Sequence, residues 1–399
     1  MDHTRRAALA GIAALGGVGV AGCLGRGGRD SLTGDGGGSG DGGGSGDGGG
    51  STDSGGSGDG DGSTDSDGSA GGPPTVDAGY HVPYEADTLV TKSLSGGVGQ
   101  DGIPSVDDPS FQPIADVTYA EGVPVFGAAR NGVTKAYPQH VLSHHEIVND
   151  EFDGEPVAVT YCPLTGTAQG FRRGDTTFGV SGRLVNSNLI MYDRGTESWW
   201  PQMLATAIDG PMTGATLDEF RVVWTTAEEW AERHPDSLVL TDDTGYVRRY
   251  ESDPYGSYAP LGGYYARDGT MFSPLASPDE GHAKSVVIGA RTATGAVAFD
   301  KETLLADRVL TAAVGEGGTS VVAVADPGLS TGHVYRNPDD LTVEPDGDGY
   351  RVGSEGGGFA ADDLPLEPVL AFDAMWFAWA GFYPDTAFVG DHTEAGYGR

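Results

Sequence analysis

The sequence predicts an α+β chain that is mainly β: two homologous β-rich modules, barrel- or sandwich-like, with a few short helices, preceded by a disordered linker. Three observations carry this expectation. Short apolar runs are punctuated by Asn131-Gly132 and Asp153-Gly154, turn signals typical of hairpins, and long helical periods are missing. The chain matches itself at long range, with Val125-Phe126-Gly127-Ala128 answered by Val287-Ile288-Gly289-Ala290. Much of the glycine, 68 residues in 399, falls in one Gly/Ser/Asp tract with almost no apolar side chains, which cannot offset the entropy of ordering.

Taken in order, residues 1–23 read as a targeting segment. Arg5-Arg6 precedes a weakly apolar run rich in Ala and Gly and resembles a Tat export signal. The run from Ala7 to Gly22 is shorter than the roughly 20 residues of a spanning helix. It closes in Val20-Ala21-Gly22-Cys23, which resembles a lipobox with Cys23 as the lipidated residue; an uncleaved short anchor is the alternative. Residues 24–79 are the linker, and 80–119 an irregular lead-in broken by Pro83, Pro104, Pro109 and Pro113.

The first module spans 120–245. Val123 to Ala129 is a strand that returns as Val133 to Tyr137, and Pro138 starts a short helix through Leu142. His144 and His145 then lie on a strand, and Val157 to Tyr161 is a second, buried one. Phe171, Phe178 to Val180 and Leu189 to Tyr192 continue the β reading. Thr225 or Thr226 caps a helix from Ala227 to Arg233, with Glu228 and Glu229 in its first turn. A Tyr-rich connector over 246–281 carries Tyr250, Asp253-Pro254-Tyr255-Gly256-Ser257-Tyr258 and Tyr264-Tyr265. The second, degenerate copy covers 282–395: Val157 to Tyr161 corresponds to Val321 to Ala325, and Trp230 with Pro235-Asp236 to Trp379 with Pro384-Asp385.

Net charge is -35, with 58 acidic against 23 basic residues spread along the chain. Such a balance disfavours nucleic acid and anionic lipid as electrostatic partners. It suits solubility in concentrated salt, where self-repulsion is screened; an acidic surface for cations is the alternative.

Only two cysteines are present, Cys23 and Cys162, which excludes a disulfide scaffold unless these two pair. Cys162 follows a buried strand and precedes Pro163 and Gly166, where a strand opens into a loop. A thiol becomes a nucleophile when a cation, an imidazole or backbone amides lower its pKa. His145 is the candidate partner and Glu146 or Asp150 its orienting acid, so Cys162, His145 and Glu146 form the candidate catalytic set. An inert buried cysteine is the competing reading. The second copy carries Asp326 in place of Cys162, and Leu305 to Asp307 where the histidines fall, so the cluster belongs to the first copy alone. His145 and Cys162 would equally suit copper or zinc, with a third ligand from His140, His81 or a carboxylate. Thr165, Thr167, Asn186, Asn188, Asp193 and Arg194 are candidate ligand-binding groups beside the Cys162 loop; turn chemistry is the alternative for Asn186-Ser187-Asn188. No redox cysteine pair, nucleophile elbow or His-Glu-x-x-His helix occurs.

The motifs His145-Glu146-Ile147-Val148-Asn149-Asp150, Val159-Thr160-Tyr161-Cys162-Pro163-Leu164-Thr165-Gly166-Thr167-Ala168 and Asn186-Ser187-Asn188-Leu189, with Tyr192-Asp193-Arg194, Asp253-Pro254-Tyr255 and Trp376-Phe377-Ala378-Trp379, resemble the bacterial and archaeal "domain of unknown function 3179" family over residues 80–395. The resemblance implies an exported protein, often a lipoprotein, and brings no established activity, cofactor or substrate. Some members carry a second cysteine where this chain has Thr165, so two-thiol chemistry is unsupported here. Three functions stay open: an exported, lipid-anchored surface protein that binds or scaffolds, a single-thiol enzyme using Cys162 with His145, and an extracytoplasmic copper- or zinc-binding lipoprotein. The expected partner is the membrane, through a lipid on Cys23, and no nucleic acid.

Overall fold

A computed structural model describes residues 71–391, apart from 279–280, 316 and 355. The export and lipidation signals and the linker up to residue 70 lie outside the described residues. The expected linker boundary at residue 79 is corrected, because Thr75–Val76 pairs antiparallel with Thr216–Leu217. The lead-in is also more regular than its prolines suggest. It holds a helix at Ala86–Lys92 and two short strands, Leu94–Ser95 and Phe111–Pro113, each docked on a sheet edge.

From there the chain runs β1 (Pro124–Arg130), β2 (Val133–Pro138), α1 (Gln139–His145), β3 (Ile147–Phe152), β4 (Glu155–Cys162), β5 (Thr167–Arg172), β6 (Phe178–Val185), β7 (Asn188–Asp193), β8 (Trp199–Pro201), β9 (Glu219–Phe220), β10 (Val223–Thr226), α2 (Ala227–Arg233) and β11 (Leu238–Leu240). It continues as β12 (Val286–Thr292), β13 (Gly295–Asp300), α3 (Lys301–Asp307), β14 (Val309–Val314), β15 (Thr319–Asp326), β16 (Thr331–Arg336), β17 (Glu367–Val369), β18 (Ala371–Met375), α4 (Trp376–Phe382) and β19 (Ala387–Val389). The chain is thus mainly β, with helices of two turns.

Turn chemistry sets the registers. Asn131 (φ 50°) and Gly132 (φ 77°) close β1 on β2, and Asp153 (φ 48°) and Gly154 (φ 79°) close β3 on β4. Two successive left-handed residues match the twist of paired strands, which Asn-Gly and Asp-Gly adopt at low cost. α2 starts on Thr226, whose hydroxyl accepts from the Glu229 amide while the Glu229 carboxylate accepts from the Thr226 amide, a reciprocal cap.

Two four-strand orders recur. In the first half β9-β5-β4-β3 forms one sheet, and β10-β1-β2-β11 forms most of the other. In the second half the orders are β17-β16-β15-β14 and β18-β12-β13-β19. The closing strand is parallel to its neighbour in both halves, β11 to β2 and β19 to β13. Phe126 and Tyr137 from one sheet meet Val159 and Tyr161 from the other in one core, and Ile288 and Phe299 meet Val321 and Ala323 in the second. Each half is therefore a small sandwich whose sheets bury one face against each other. A third core lies around the sheet of β6, β7 and β8, and takes in Cys162 and Trp200 together with Val287, Phe372 and Trp379.

Candidate functional site

α1 runs to His145, beyond the expected end at Leu142. His144 and His145 are therefore helical, and the expectation of two histidines on opposite faces of a strand is corrected. Helix geometry was open to them because nothing in Val141-Leu142-Ser143 breaks it. Glu146 ends the helix in the left-handed region (φ 59°), its amide donating to the Leu142 carbonyl at 2.8 Å and its carbonyl accepting from the Tyr161 amide at 2.7 Å. The same joint recurs at Arg308 (φ 71°), which ends α3 and accepts from the Ala325 amide at 2.9 Å.

His145 turns away from catalysis with Cys162. Its Nδ1 donates to the Pro104 carbonyl (2.8 Å), so Nε2 is left to accept from the Tyr250 hydroxyl (2.7 Å). A carbonyl can only accept, which fixes this neutral tautomer. Burial lowers the pKa of the ring, and the Pro104 bond opposes that only in part. His144 Nε2 lies 3.0 Å from the Ser252 carbonyl. Both histidines thus fasten α1 to the segment that follows the first module, and His145 ties it to the lead-in as well. Neither ring nitrogen of His145 is free to take the Cys162 proton or a metal.

Cys162 is 1% exposed at the end of β4. Its thiol donates to the Ser187 carbonyl at 3.6 Å. Burial, and next to it the Glu146 carboxyl, push the thiol pKa up to about 11, against smaller opposing hydrogen bonds from Thr165 and the Leu189 and Leu164 backbone. A thiolate nucleophile needs the reverse arrangement, a nearby positive charge.

The candidate ligand groups divide into two sets. Asn188 Nδ2 donates to Thr165 Oγ1 (3.0 Å) and Gln202 Oε1 (2.9 Å), while Gln202 Nε2 donates to Thr160 Oγ1 (2.8 Å) and the Thr167 carbonyl (3.1 Å). That buried network is closed on itself under the Cys162 loop and leaves nothing for a ligand. Asn186 (φ 53°) and Ser187 (φ 61°) are the two-residue turn between β6 and β7, the turn reading weighed against a pocket. Asp193 accepts from the Thr196 amide and hydroxyl and from the Trp200 indole (3.0 Å). Arg194 pairs with Asp101 (3.0 Å) and Asp107 (3.4 Å). Both sets of partners hold the loop after β7, so these two side chains are engaged away from Cys162.

Glu146 remains, with surroundings the sequence did not assign to the site. The residue is 6% exposed, and among the described residues its carboxyl has no hydrogen-bond partner. Burial alone raises its pKa to about 8. The Tyr-rich connector covers this region. Its hairpin, Gly256–Tyr258 with Leu261–Gly263, is fixed by Asp253, which accepts from Gln139 Nε2 (2.6 Å), the Tyr265 hydroxyl (2.6 Å) and the Tyr255 amide (2.7 Å). The Tyr264 hydroxyl donates to the Leu164 carbonyl (2.8 Å) in the Cys162 loop, and the Tyr264 amide to the Tyr255 carbonyl (2.7 Å). Tyr255 feels both Glu146 and Cys162: after burial, these two are the largest influences holding its hydroxyl protonated. The clustering of tyrosines behind Asp253-Pro254 was the available signal, but tyrosine content alone does not distinguish a cover from a core.

Among the described residues no group of three His, Cys, Asp or Glu side chains is placed to hold a metal ion. A family model described as "Protein of unknown function (DUF3179)" matches residues 100–386. No curated protein and no solved structure matches the chain.

Proposed function

The chain belongs to the DUF3179 family, whose description assigns no activity, and from that premise we propose that it is an exported, lipid-anchored surface protein that binds a ligand and carries out no thiol catalysis. The observation that carries this reading is the state of Cys162: its thiol is buried, pushed up to about 11, and beside a carboxyl instead of an imidazole. A thiol so placed is protonated at neutral pH, and neither nucleophilic attack nor metal ligation is open to it without losing that proton. The Tat-like arginines and the lipobox ending in Cys23 support export and tethering, with 24–70 as spacer. The shared strand orders, together with the matched motifs, support an ancestral duplication in which the second half kept the scaffold and lost the site. The charge of -35 supports a salt-adapted setting.

The test uses the full chain recovered from the membranes of an expressing host. Iodoacetamide is expected to modify Cys162 only after denaturation, and Cys23→Ser is expected to move the protein from membranes to medium. Rapid alkylation of folded Cys162 at neutral pH overturns the binding reading. Retention of Cys23→Ser on membranes overturns the lipid tether.

A further inference from the structure

We propose that the cleft between the lead-in and the loop after β8 is a binding site for a small organic cation, a protonated amine or quaternary ammonium carried on an apolar body. This rests on the reading of the protein as a binder, and it names the place and the chemical class.

The cleft encloses about 520 Å³, within the range of roughly 300–1,000 Å³ typical of small-molecule sites. One wall comes from residues 206–216, folded back by the Ala207 amide donating to the Ala215 carbonyl and the Gly214 amide to the Ala207 carbonyl, both at 2.9 Å. The other wall is the lead-in over 75–89, which is fastened to both halves of the molecule. Thr75–Val76 pairs with Thr216–Leu217 of the first half. Further along, the His81 amide donates to the Thr292 carbonyl (3.0 Å), the Tyr80 ring lies 4.3 Å from the Arg291 guanidinium, and the Tyr84 hydroxyl donates to the Gly381 carbonyl (2.9 Å), all in the second half. Ligand sites gather where two units meet, and walls tied down in advance lower the ordering cost of binding.

The lining selects the ligand. Tyr80, Val82, Tyr84, Leu89 and Ile208 supply an apolar and aromatic interior, and Val76, which lines the same cleft, stays 39% exposed. An apolar body that covers this surface removes it from water, which is favourable. Asp77 and Glu85 also line the cleft, and no lysine, arginine or histidine does. Both acids are exposed, and among the described residues neither carboxylate has an ion-pair or hydrogen-bond partner. The buried acids Asp150, Glu219 and Asp373 are by contrast matched by Lys135, Arg291 and Lys301. The charge that answers two free carboxylates beside an apolar surface is positive. Tyrosine rings add to this preference through the negative potential of their faces. An anion meets repulsion from both acids and from the net charge of -35. A metal ion lacks its shell, because among the described residues no three acidic, histidine or cysteine side chains converge to hold one.

The probes are phenethylammonium, phenethyl alcohol and phenylacetate, similar bodies with three different charges, titrated into the folded full chain and followed by broadening of their own proton resonances. The ammonium is expected to saturate, the alcohol to bind about tenfold more weakly, and phenylacetate to show no saturation. Asp77→Asn with Glu85→Gln should weaken the ammonium about tenfold, the combined worth of two exposed ion pairs, and leave the alcohol where it was. Ala215→Trp, which fills the cleft, should abolish binding of both. If that variant fails to fold, the acid pair, both members exposed, decides the matter alone. No saturation by the ammonium, equal affinity for the alcohol, indifference to the loss of both acids, or binding that persists in folded Ala215→Trp overturns the site. If the site is overturned while Cys162 stays inert to iodoacetamide, the binding reading survives without this cleft; a reactive Cys162 overturns the binding reading itself.

Discussion

At Glu146 the folded chain holds a proton that the unfolded chain releases near the ordinary 4.5. Its folded pKa is raised to about 8, so the contribution of this group to stability is complete below 4.5 and declines as pH climbs toward 8. Above that value both states are ionised and the curve is flat again. The slope in between is at most about 1.4 kcal/mol per pH unit, because one proton is involved. Melting temperatures of the wild type and of Glu146→Gln should therefore converge at the acid end of that window and separate toward the alkaline end, with the wild type falling more steeply. Parallel curves would mean that the carboxyl is ordinary. The sequence reading assigned Glu146 to orient His145, and its burial without a partner was not legible there. A left-handed cap made by a non-glycine residue leaves no compositional trace, and the helix looked a turn shorter than it is.

At the scale of elements, the sandwich halves are each closed by one tryptophan over one glycine. A Cβ on Gly127 in β1 would sit 2.2 Å from the Trp230 ring of α2, and a Cβ on Gly289 in β12 would sit 2.2 Å from the Trp379 ring of α4. Each indole also donates seven residues on, Trp230 to Ser237 Oγ (2.9 Å) and Trp379 to Thr386 Oγ1 (3.0 Å), so neither ring can move aside without losing a bond. Gly127→Ala and Gly289→Ala are expected to cost about 1–3 kcal/mol or more each by overpacking. Gly269→Ala, which meets nothing within 4 Å, should stay within about 0.5 kcal/mol. Denaturant midpoints give the answer, and a neutral Gly127→Ala would contradict the contact. These elements were the most legible part of the chain. The glycine and tryptophan recur in both copies, Gly127 with Gly289 and Trp230 with Trp379, and the Asn-Gly and Asp-Gly turns set register locally. The connector was not legible as a cover, because its tyrosines are placed by Asp253, Gln139 and Leu164, contacts of long sequence separation that no local pattern encodes.

At the scale of the whole molecule, arginines of each half reach into the other. Arg221 beside β9 donates to the Ala371 (2.9 Å) and Gly332 (2.6 Å) carbonyls of the second half. Arg291 in β12 pairs with Glu219 in β9 at 2.6 Å, both side chains 2% exposed, and donates to the Met203 carbonyl at 2.8 Å. Glu219 also accepts from Gln169 Nε2 (2.9 Å) in β5, so the ion pair is tied to the sheet that ends at the Cys162 loop. Such a pair contributes little against an apolar replacement of both partners, but removing one partner strands the other charge. Arg291→Met is therefore expected to lose about 3–5 kcal/mol, and Arg291→Met with Glu219→Leu to lose less than the single substitution. Because the two residues touch, the double-mutant cycle should show a coupling of about 0.5–3 kcal/mol, measured by denaturant unfolding. Strict additivity would show the halves to be energetically independent. Coupling would instead make the shared core around β6 to β8 and these cross-links one cooperative unit, and unfolding of the second half would then carry the Cys162 loop with it.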